Sequence, residues 1–395
     1  MTEWKEYKLG EIAEITSSKR IFYSEYVPNG IPFYRSKEII DLYNKRDVAT
    51  ELYISRERYN EIRDKFGVPQ KDDILLTSVG SLGIPYKVKD EDCFYFKDGN
   101  LTWFKDINTS IILPDYFVFW LTSCIGKQKL DEITIGSTQA ALTISGLKTV
   151  VISLPPLPEQ KRIASILSSL DDKIDLLHRE NKTLEAMAET LFRKWFIEEA
   201  KEDWKEGKLG DIISVKGGTT PSTKEPHFWN GDIAWTSPRD VTTLNGLYLF
   251  ETEKKITQKG LEQISSGLLP AGTLLMSSRA PVGVLAFSEI PIAINQGYIA
   301  ILDDKGYEKE FIYLWLKANM DTIHSYSNGS TFMEISKSAF KSIDILIPTK
   351  EEVNVFVDRV KPIFEKIKAN VLQIQTLIQQ RDSLLPKLMS GEVKI

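Results

Sequence analysis

The strongest constraint on the fold is a run of residues, 154–198, whose small and apolar side chains recur in alternating steps of three and four. The run opens with Pro155, Pro156 and Pro158, which favour extended backbone, so a strand should end here and a helix should begin just beyond. The spaced positions are Leu167, Leu170, Ile174, Leu177, Asn181, Leu184, Ala188, Leu191 and Trp195. This spacing holds over about four heptads and predicts a helix with a coiled-coil seam.

The same pattern returns at the end of the chain, at a constant offset and without a gap. Pro155 recurs as Pro348, and Glu159 recurs as Glu352. The second seam consists of Val360, Ile363, Ile367, Asn370, Ile374, Leu377, Arg381, Leu384 and Leu388. The chain therefore encodes two long seam helices.

If the two helices pack antiparallel, one register places Asn181 opposite Asn370. In that register each apolar seam position faces another apolar position, except that Leu170 faces Arg381. Polar seam residues can fix the register of a coiled coil at some cost in stability. We therefore expect the two Asn side chains to hydrogen-bond across the seam and to set its register.

A second repeat shows that the whole chain is duplicated. The sequence motif at residues 4–12 recurs, with two substitutions, at residues 204–212. We predict a globular segment at 1–154, a helix at 155–200, a second globular segment at 201–347 and a C-terminal helix at 348–395. Each globular segment is expected to be α+β, with helices at Asp115–Leu130 and Lys309–Ser325. The predicted strands are Ile31–Tyr34, Ile74–Thr77, Phe94–Phe96, Leu101–Phe104, Ile233–Thr236, Leu274–Met276, Val284–Phe287 and Ile299–Leu302.

Composition excludes several classes of protein. The 395 residues carry a formal net charge of −5, so any surface that attracts nucleic acid must be local. Two cysteines and three scattered histidines give neither a disulfide framework nor a metal site. The sequence has no dinucleotide or ATP phosphate-binding motif, and no paired carboxylates in a catalytic pattern. Without an apolar signal core or an apolar run of about 20 residues, we expect a cytoplasmic protein with no membrane segment.

Several motifs occur in a fixed order along the chain. They are Pro155–Ala164, Lys216–Lys224, Phe228–Trp235, Leu269–Arg279 and Ile294–Gly297. Over essentially its full length the chain resembles the DNA-specificity subunit of Type I restriction-modification systems. The resemblance implies two target-recognition domains, each followed by a long helix, with the helices forming an antiparallel coiled coil with pseudo-two-fold symmetry.

The resemblance also implies function and partners. Each target-recognition domain would read one half of a bipartite site in double-stranded DNA, and the helices would set the gap and dock two methylation subunits. A helix of about 30 residues is about 45 Å long, which predicts a gap of several base pairs. Restriction subunits would join the full complex. The chain itself would carry no catalysis, no metal and no cofactor, since S-adenosylmethionine is expected in the partner methylation subunit.

DNA recognition needs cations near phosphates, and needs Arg, Asn, Gln, Ser or Thr on loops that reach base edges. Arg35 and Arg279 are the preferred base readers, and the alternative for any candidate is a turn residue or a surface salt bridge. The candidates in the first half are Lys19, Arg20, Arg35, Ser36, Lys37, Thr77, Ser78 and Ser81. The candidates in the second half are Thr219, Thr220, Ser237, Arg239, Ser277, Ser278, Arg279 and Gln296.

Two other functions stay open at this level. The duplicated domains could form a non-enzymatic scaffold that binds proteins, which the acidic balance permits. The chain could also be an orphan DNA-recognition module without its methylation partner.

Overall fold

The computed structural model describes residues 4–136, 140–244, 246–279, 281–303, 305–329 and 333–393. The chain forms two compact units. Unit 1 comprises Met1–Lys173 and Leu377–Ile395, and unit 2 comprises Ile174–Thr376. The sequence assigned each long helix to a segment of its own, whereas in the structure each long helix is shared between the units.

Unit 1 contains a four-stranded antiparallel sheet in the order β2-β9-β6-β7, a second sheet in the order β3-β5-β4-β8, and the pair β1-β10. Its described strands are β1 (Lys5–Lys8), β2 (Glu14–Thr16), β3 (Tyr26–Val27), β4 (Ile31–Tyr34), β5 (Tyr53–Ile54), β6 (Ile74–Thr77), β7 (Pro85–Lys87), β8 (Tyr95–Phe96), β9 (Leu101–Lys105) and β10 (Val151–Leu154). The strands predicted in this half are confirmed, with bounds that differ by one residue at most. The pair β4-β8 is parallel.

The helices of unit 1 pack around buried aromatic side chains such as Phe104, Phe117 and Trp120. The described helices are α1 (Leu9–Ile12), α2 (Ser36–Tyr43), α3 (Arg56–Phe66), α4 (Pro114–Thr122), α5 (Cys124–Glu132), α6 (Ile144–Thr149) and the first part of α7 (Leu157–Arg193). The single helix predicted at 115–130 is wrong, because Ser123 is extended and separates α4 from α5. Its hydroxyl accepts a hydrogen bond from the Gly126 amide at 3.1 Å, which caps the second helix.

Unit 2 repeats this plan with a five-stranded sheet in the order β12-β19-β16-β17-β14, a three-stranded sheet β15-β13-β18, and the pair β11-β20. Its described strands are β11 (Lys205–Lys208), β12 (Ser214–Lys216), β13 (Trp229–Thr236), β14 (Tyr248–Leu249), β15 (Lys254–Ile256), β16 (Leu274–Ser277), β17 (Leu285–Ser288), β18 (Ala293–Ile294), β19 (Tyr298–Leu302) and β20 (Asp344–Ile347). The strands predicted in this half are confirmed, and β13 extends four residues further toward the N-terminus. The pair β13-β18 is parallel, like β4-β8.

The helices of unit 2 surround a core that includes Phe287, Phe311 and Phe340. They are α8 (Leu209–Ile212), α9 (Pro238–Thr242), α10 (Gln258–Leu261), α11 (Lys309–Ala318), α12 (Met320–Ser325), α13 (Lys337–Lys341) and the first part of α14 (Lys350–Met389). The helix predicted at 309–325 is also divided, because Asn319 leaves helical geometry and its side-chain amide donates to the Trp315 carbonyl at 2.8 Å.

Buried Gln160 fixes the start of α7 in unit 1. Its side-chain amide donates to the carbonyls of Ile111 and Pro155, and its oxygen accepts from the Leu113 amide, all at 2.9–3.0 Å. Further along, Arg381 of α14 donates to the Asp171 carboxylate at 2.9 Å. The one mismatch predicted in the seam, at Leu170, is therefore relieved by an ion pair with the neighbouring residue of α7.

In unit 2, α7 and α14 meet at a buried polar pair. The side-chain amide of Asn370 donates to the Asn181 oxygen at 2.8 Å and to the Glu180 carboxylate at 3.1 Å. Lys366 lies 3.4 Å from the same carboxylate. The contact expected from the sequence is present, and its role in setting the register stays a prediction.

The residues that the structure describes contain no helix long and apolar enough to cross a membrane. The same part of the chain holds no cluster of three His, Cys, Asp or Glu side chains able to bind a metal ion.

Candidate nucleic-acid interface

In unit 1 the candidate site begins where the parallel strands β4 and β8 end side by side. Phe33 pairs with Tyr95, and Tyr34 pairs with Phe96. The chain leaves β4 into α2 and leaves β8 into the loop 97–100. The Lys97 amide donates to the Tyr34 carbonyl at 2.8 Å, so both exits are held together.

The loop that follows β2 joins the same place. The Lys19 amide donates to the Tyr95 hydroxyl at 2.7 Å, and the Arg20 guanidinium donates to Asp98 at 2.9 Å. The Ser36 hydroxyl at the start of α2 lies 3.5 Å from the Asn100 carbonyl. The structure thus brings together five of the predicted residues. We call this set edge 1, and it consists of Lys19, Arg20, Arg35, Ser36, Lys37 and the loop 97–100.

Arg35 is held by a buried carboxylate within edge 1. Its Nη2 donates to Glu38 Oε1 at 2.8 Å, and its backbone amide donates to Glu38 Oε2 at 2.8 Å. Burial alone would raise the pKa of Glu38, but the hydrogen bonds from Arg35 outweigh it and lower that pKa. The Arg35 side chain stays 41% exposed, and its Nη1 has no partner among the described residues. One side of the guanidinium is fixed by the protein, which leaves the other side to face a ligand.

Unit 2 builds the equivalent place from β13 and β18. Trp235 pairs with Ala293, and the Asn295 amide donates to the Thr236 carbonyl at 3.0 Å. The loop 217–220 follows β12. It packs against the end of β18 through a hydrogen bond from the Thr219 amide to the Ile294 carbonyl at 3.1 Å. We call this set edge 2, and it consists of Thr219, Thr220, Ser237, Arg239 and the loop 295–297.

Gln296 is the most exposed amide of edge 2, and its orientation is fixed by a neighbour. The Thr220 hydroxyl donates to Gln296 Oε1 at 2.7 Å. The Gln296 NH2 group has no partner in the described part of the chain. A side-chain amide held in this way can donate and accept at an adenine edge.

The other predicted residues of edge 2 have different surroundings. The Ser237 hydroxyl and amide both contact the Asp240 carboxylate, at 3.2 and 2.8 Å, so Ser237 caps α9. Thr219 accepts from the Ser265 amide and donates to the Gln263 carbonyl. Arg239 is exposed and lies 3.9 Å from Glu253, which is a weak surface pair. Within this set, Arg239 is exposed with only a weak partner, and the exposed Gln296 has an NH2 group without a partner among the described residues.

Four predicted contacts are corrected by burial. Thr77, Ser78, Ser277 and Ser278 are at most 4% exposed. The Thr77 hydroxyl accepts from the Ile84 amide at 3.0 Å, and Ser277 holds Val284 in the same way at 2.9 Å. The Thr77 and Ser277 hydroxyls close the β6-β7 and β16-β17 hairpins, and the Ser78 hydroxyl lies 2.7 Å from the Thr102 hydroxyl inside the first sheet.

The remaining two predicted residues lie between the strands of these hairpins. Ser81 is exposed in the turn between β6 and β7. Arg279 is half-buried, forms a backbone bridge with Glu334, and has no side-chain partner among the described residues. The preceding amide, of Ser278, donates to the Gly297 carbonyl at 2.8 Å, which places the Arg279 backbone next to edge 2.

Sequence reasoning missed Lys97. It is exposed, and its backbone makes the same hydrogen bond in unit 1 that Asn295 makes in unit 2. Aligning the two halves at the strands β8 and β18 would have found it.

The two edges share a backbone frame and differ in chemistry. Edge 1 carries the cations Lys19, Arg20, Arg35, Lys37 and Lys97. The corresponding part of edge 2 presents hydroxyls and an amide, with Arg239 as a cation. A cation-rich surface suits phosphates and guanine, whereas a fixed amide suits adenine.

A family model described as the Type I restriction modification DNA specificity domain matches the chain twice, at residues 1–186 and 201–380. The chain belongs to this family. The two matches coincide with the two halves of the duplication, so each edge lies in its own specificity domain.

Individual relatives and structures agree with this family. The chain is 24% identical over 474 residues to the Type I restriction enzyme HindI specificity subunit of Haemophilus influenzae, and the match covers 100% of both chains. It is 37% identical over 166 residues to the MjaIX specificity subunit of Methanocaldococcus jannaschii, a match that spans 42% of this chain and 38% of the relative. The crystal structure of the S subunit from M. genitalium has a TM-score of 0.59 and 17% identity, covering 98% of this chain and 96% of that one. That likeness shows the tandem-domain fold.

Proposed function

We propose that this chain acts in the cytoplasm as the sequence-specific DNA-binding specificity subunit of a Type I restriction-modification complex. Edge 1 contacts one half of a bipartite target and edge 2 contacts the other. The observation that carries this proposal is that two edges with the same backbone hydrogen bonds present different side chains. A retained frame with divergent contact residues is what two recognition domains with two different half-sites require.

We assign a role to each side chain of the edges from its exposure and its hydrogen bonds. In edge 1, exposed Lys37 and Lys97 neutralise phosphates, and the open side of Arg35 faces a base. In edge 2, Gln296, oriented by Thr220, reads a base, and Arg239 contacts a phosphate. Phosphate contacts position the protein, and base contacts give sequence specificity.

The chemistry belongs to partners in this proposal. Two methylation subunits dock on the long helices, which set the gap between half-sites, and these subunits bind S-adenosylmethionine. Restriction subunits join the full complex. The chain itself contributes recognition and no catalytic group.

The experiment compares two substitutions in the complex with the methylation subunit. Gln296→Ala should relax the sequence requirement at one position of one half-site and weaken binding there by about 1–3 kcal/mol. Lys37→Ala should weaken binding to all sequences equally and reduce the salt dependence by about one counterion. Lys127→Ala, at another exposed lysine of unit 1, in α5, is the matched control and should change neither. Uniform weakening by Gln296→Ala would contradict its assignment as a base reader.

A further inference from the structure

Two aromatic side chains next to edge 1 are largely exposed. Phe22 is 62% exposed and Tyr23 is 90% exposed. Large aromatic side chains in this protein are mostly buried, because leaving them in water forfeits their burial energy. Adjacent exposed aromatics therefore mark a contact with another molecule.

The turn that presents these rings is firmly held. Ile21 is buried directly before them, and the Glu25 carboxylate accepts a hydrogen bond from the Phe22 amide at 2.7 Å. Glu25 also forms an ion pair with Arg58 at 2.8 Å. The Tyr23 ring packs edge to face on Tyr26, with centroids 6.3 Å apart. A fixed turn loses little conformational entropy when its side chains bind a ligand.

The rings follow directly after the cations of edge 1. Lys19 and Arg20 precede them in the chain, and Lys19 Nζ lies 4.5 Å from the centroid of the Phe66 ring. Aromatic and cationic side chains in one exposed segment match the bases and phosphates of DNA. Lys is depleted in protein-docking surfaces, so the exposed Lys19 in this segment favours DNA over a protein.

Unit 2 lacks this pair. Pro221 is buried at the same distance after β12 as Ile21 is after β2, and the next residues are Ser222 and Thr223. At this offset unit 2 therefore has no exposed Phe-Tyr pair, and its turn before β13 carries His227 and Phe228 instead, with ring centroids 4.3 Å apart.

We propose that Phe22 and Tyr23 form an aromatic wedge that stacks against bases and partly unstacks one base step in the half-site read by edge 1. Apolar side chains that enter a base step distort the duplex and enlarge the contact with the protein. The wedge is absent from edge 2, so the two half-sites are distorted unequally. This inference rests on the proposed function and adds the mode of recognition used by unit 1.

The experiment uses the full complex with the methylation subunit and a duplex that carries its methylated motif. 2-Aminopurine, whose fluorescence rises on unstacking, replaces each adenine of the edge 1 half-site in turn. The methylated adenine is left in place, because a methyltransferase takes its target base out of the stack. The wild-type complex should raise the signal at one position. The double variant Phe22→Ser, Tyr23→Thr, which copies unit 2, should abolish that rise and weaken binding roughly 5- to 150-fold. Tyr23→Phe keeps the ring and should retain both properties.

Leu268→Ser, at an exposed apolar residue of unit 2, is the control and should leave binding unchanged. An unchanged signal and affinity in the double variant would overturn the wedge while leaving the proposed function intact. Loss of the methylation subunit from the double variant but not from the control would overturn it in favour of a protein contact. A wild-type complex with no preference for its motif would refute the proposed function itself.

Discussion

Removing one side-chain amide of the Asn181–Asn370 pair should destabilise the protein, because the other amide then stays buried without its partner. Asn370 is 1% exposed and Asn181 is 6% exposed. Asn370→Ala removes the hydrogen bond of 2.8 Å to the Asn181 oxygen, which stays buried without a donor. It also removes the hydrogen bond of 3.1 Å to the Glu180 carboxylate. A buried polar group without a partner costs about 1–3 kcal/mol. Asn181→Ala should cost less, about 1 kcal/mol, because Asn370 keeps its contact with Glu180.

The double variant tests this reasoning. With both amides removed, no polar group is stranded between them, so the cost should fall short of the sum of the two single costs by about 1–2 kcal/mol. Scanning calorimetry on the full chain measures the effect, since 1 kcal/mol shifts the midpoint by roughly 2–4 °C in a unit of this size. Thr183→Ala, on the exposed face of the same helix, is the control and should stay within about 0.5 kcal/mol. Strictly additive costs would refute the role of the pair as a coupled contact.

Two further predictions concern the individual units. Burial raises the pKa of Asp73 from 3.8 to about 6, against the opposing hydrogen bond from Trp103. The folded state therefore favours the protonated Asp73 carboxyl. This preference contributes fully to the free energy of unfolding below pH 3.8, and the contribution is lost as the pH rises through the folded-state pKa of about 6. In urea titrations Asp73→Asn should remove this fall in the free energy of unfolding with rising pH. The same pH dependence in the variant and the wild type would contradict the role given to Asp73. Gly218→Ala should destabilise unit 2 by about 1–3 kcal/mol, because its Cβ would lie 1.7 Å from the Ile294 carbonyl oxygen. The neighbouring Gly217→Ala meets only the movable end of a lysine side chain and should cost far less, so equal thermal shifts would contradict this account.

Local patterns in the sequence were sufficient for eight of the twenty described strands, for the duplication and for the Asn pair. Strands such as Ile74–Thr77 are short runs of residues with high β-propensity between turn signals, and the structure places them where those signals predict. The seam spacing is likewise local to each helix. These features need no knowledge of distant contacts.

Features that depend on tertiary packing were missed. Apolar periodicity continues through Ser123 and Asn319, yet each side chain bonds to the preceding turn and ends a helix there. Ser277 follows the predicted strand Leu274–Met276 and is therefore expected on a surface loop. In the structure it ends β16, and its hydroxyl donates to the Pro281 carbonyl inside the hairpin. A pattern read along the chain does not reveal which neighbour covers a polar group.

The edges themselves were only partly foreseeable. Arg35 follows a predicted strand, and Gln296 lies beside Gly297 just before another, so the sequence could nominate them. Lys97 takes the position in unit 1 that Asn295 takes in unit 2, and the parallel pairing of β4 with β8 brings it beside α2. Pairing between strands distant in sequence creates the surface, and one sequence without that pairing shows only its parts.

The adenine methylation pattern of DNA, after co-expression of this chain with its methylation subunit, tests the proposed function as a whole. We expect a split motif, in which two short specific blocks flank a fixed gap. Exchange of residues 201–347 for those of a relative should change one block and leave the other unaltered. A stable complex that methylates no defined motif, or an exchange that alters both blocks, would contradict it.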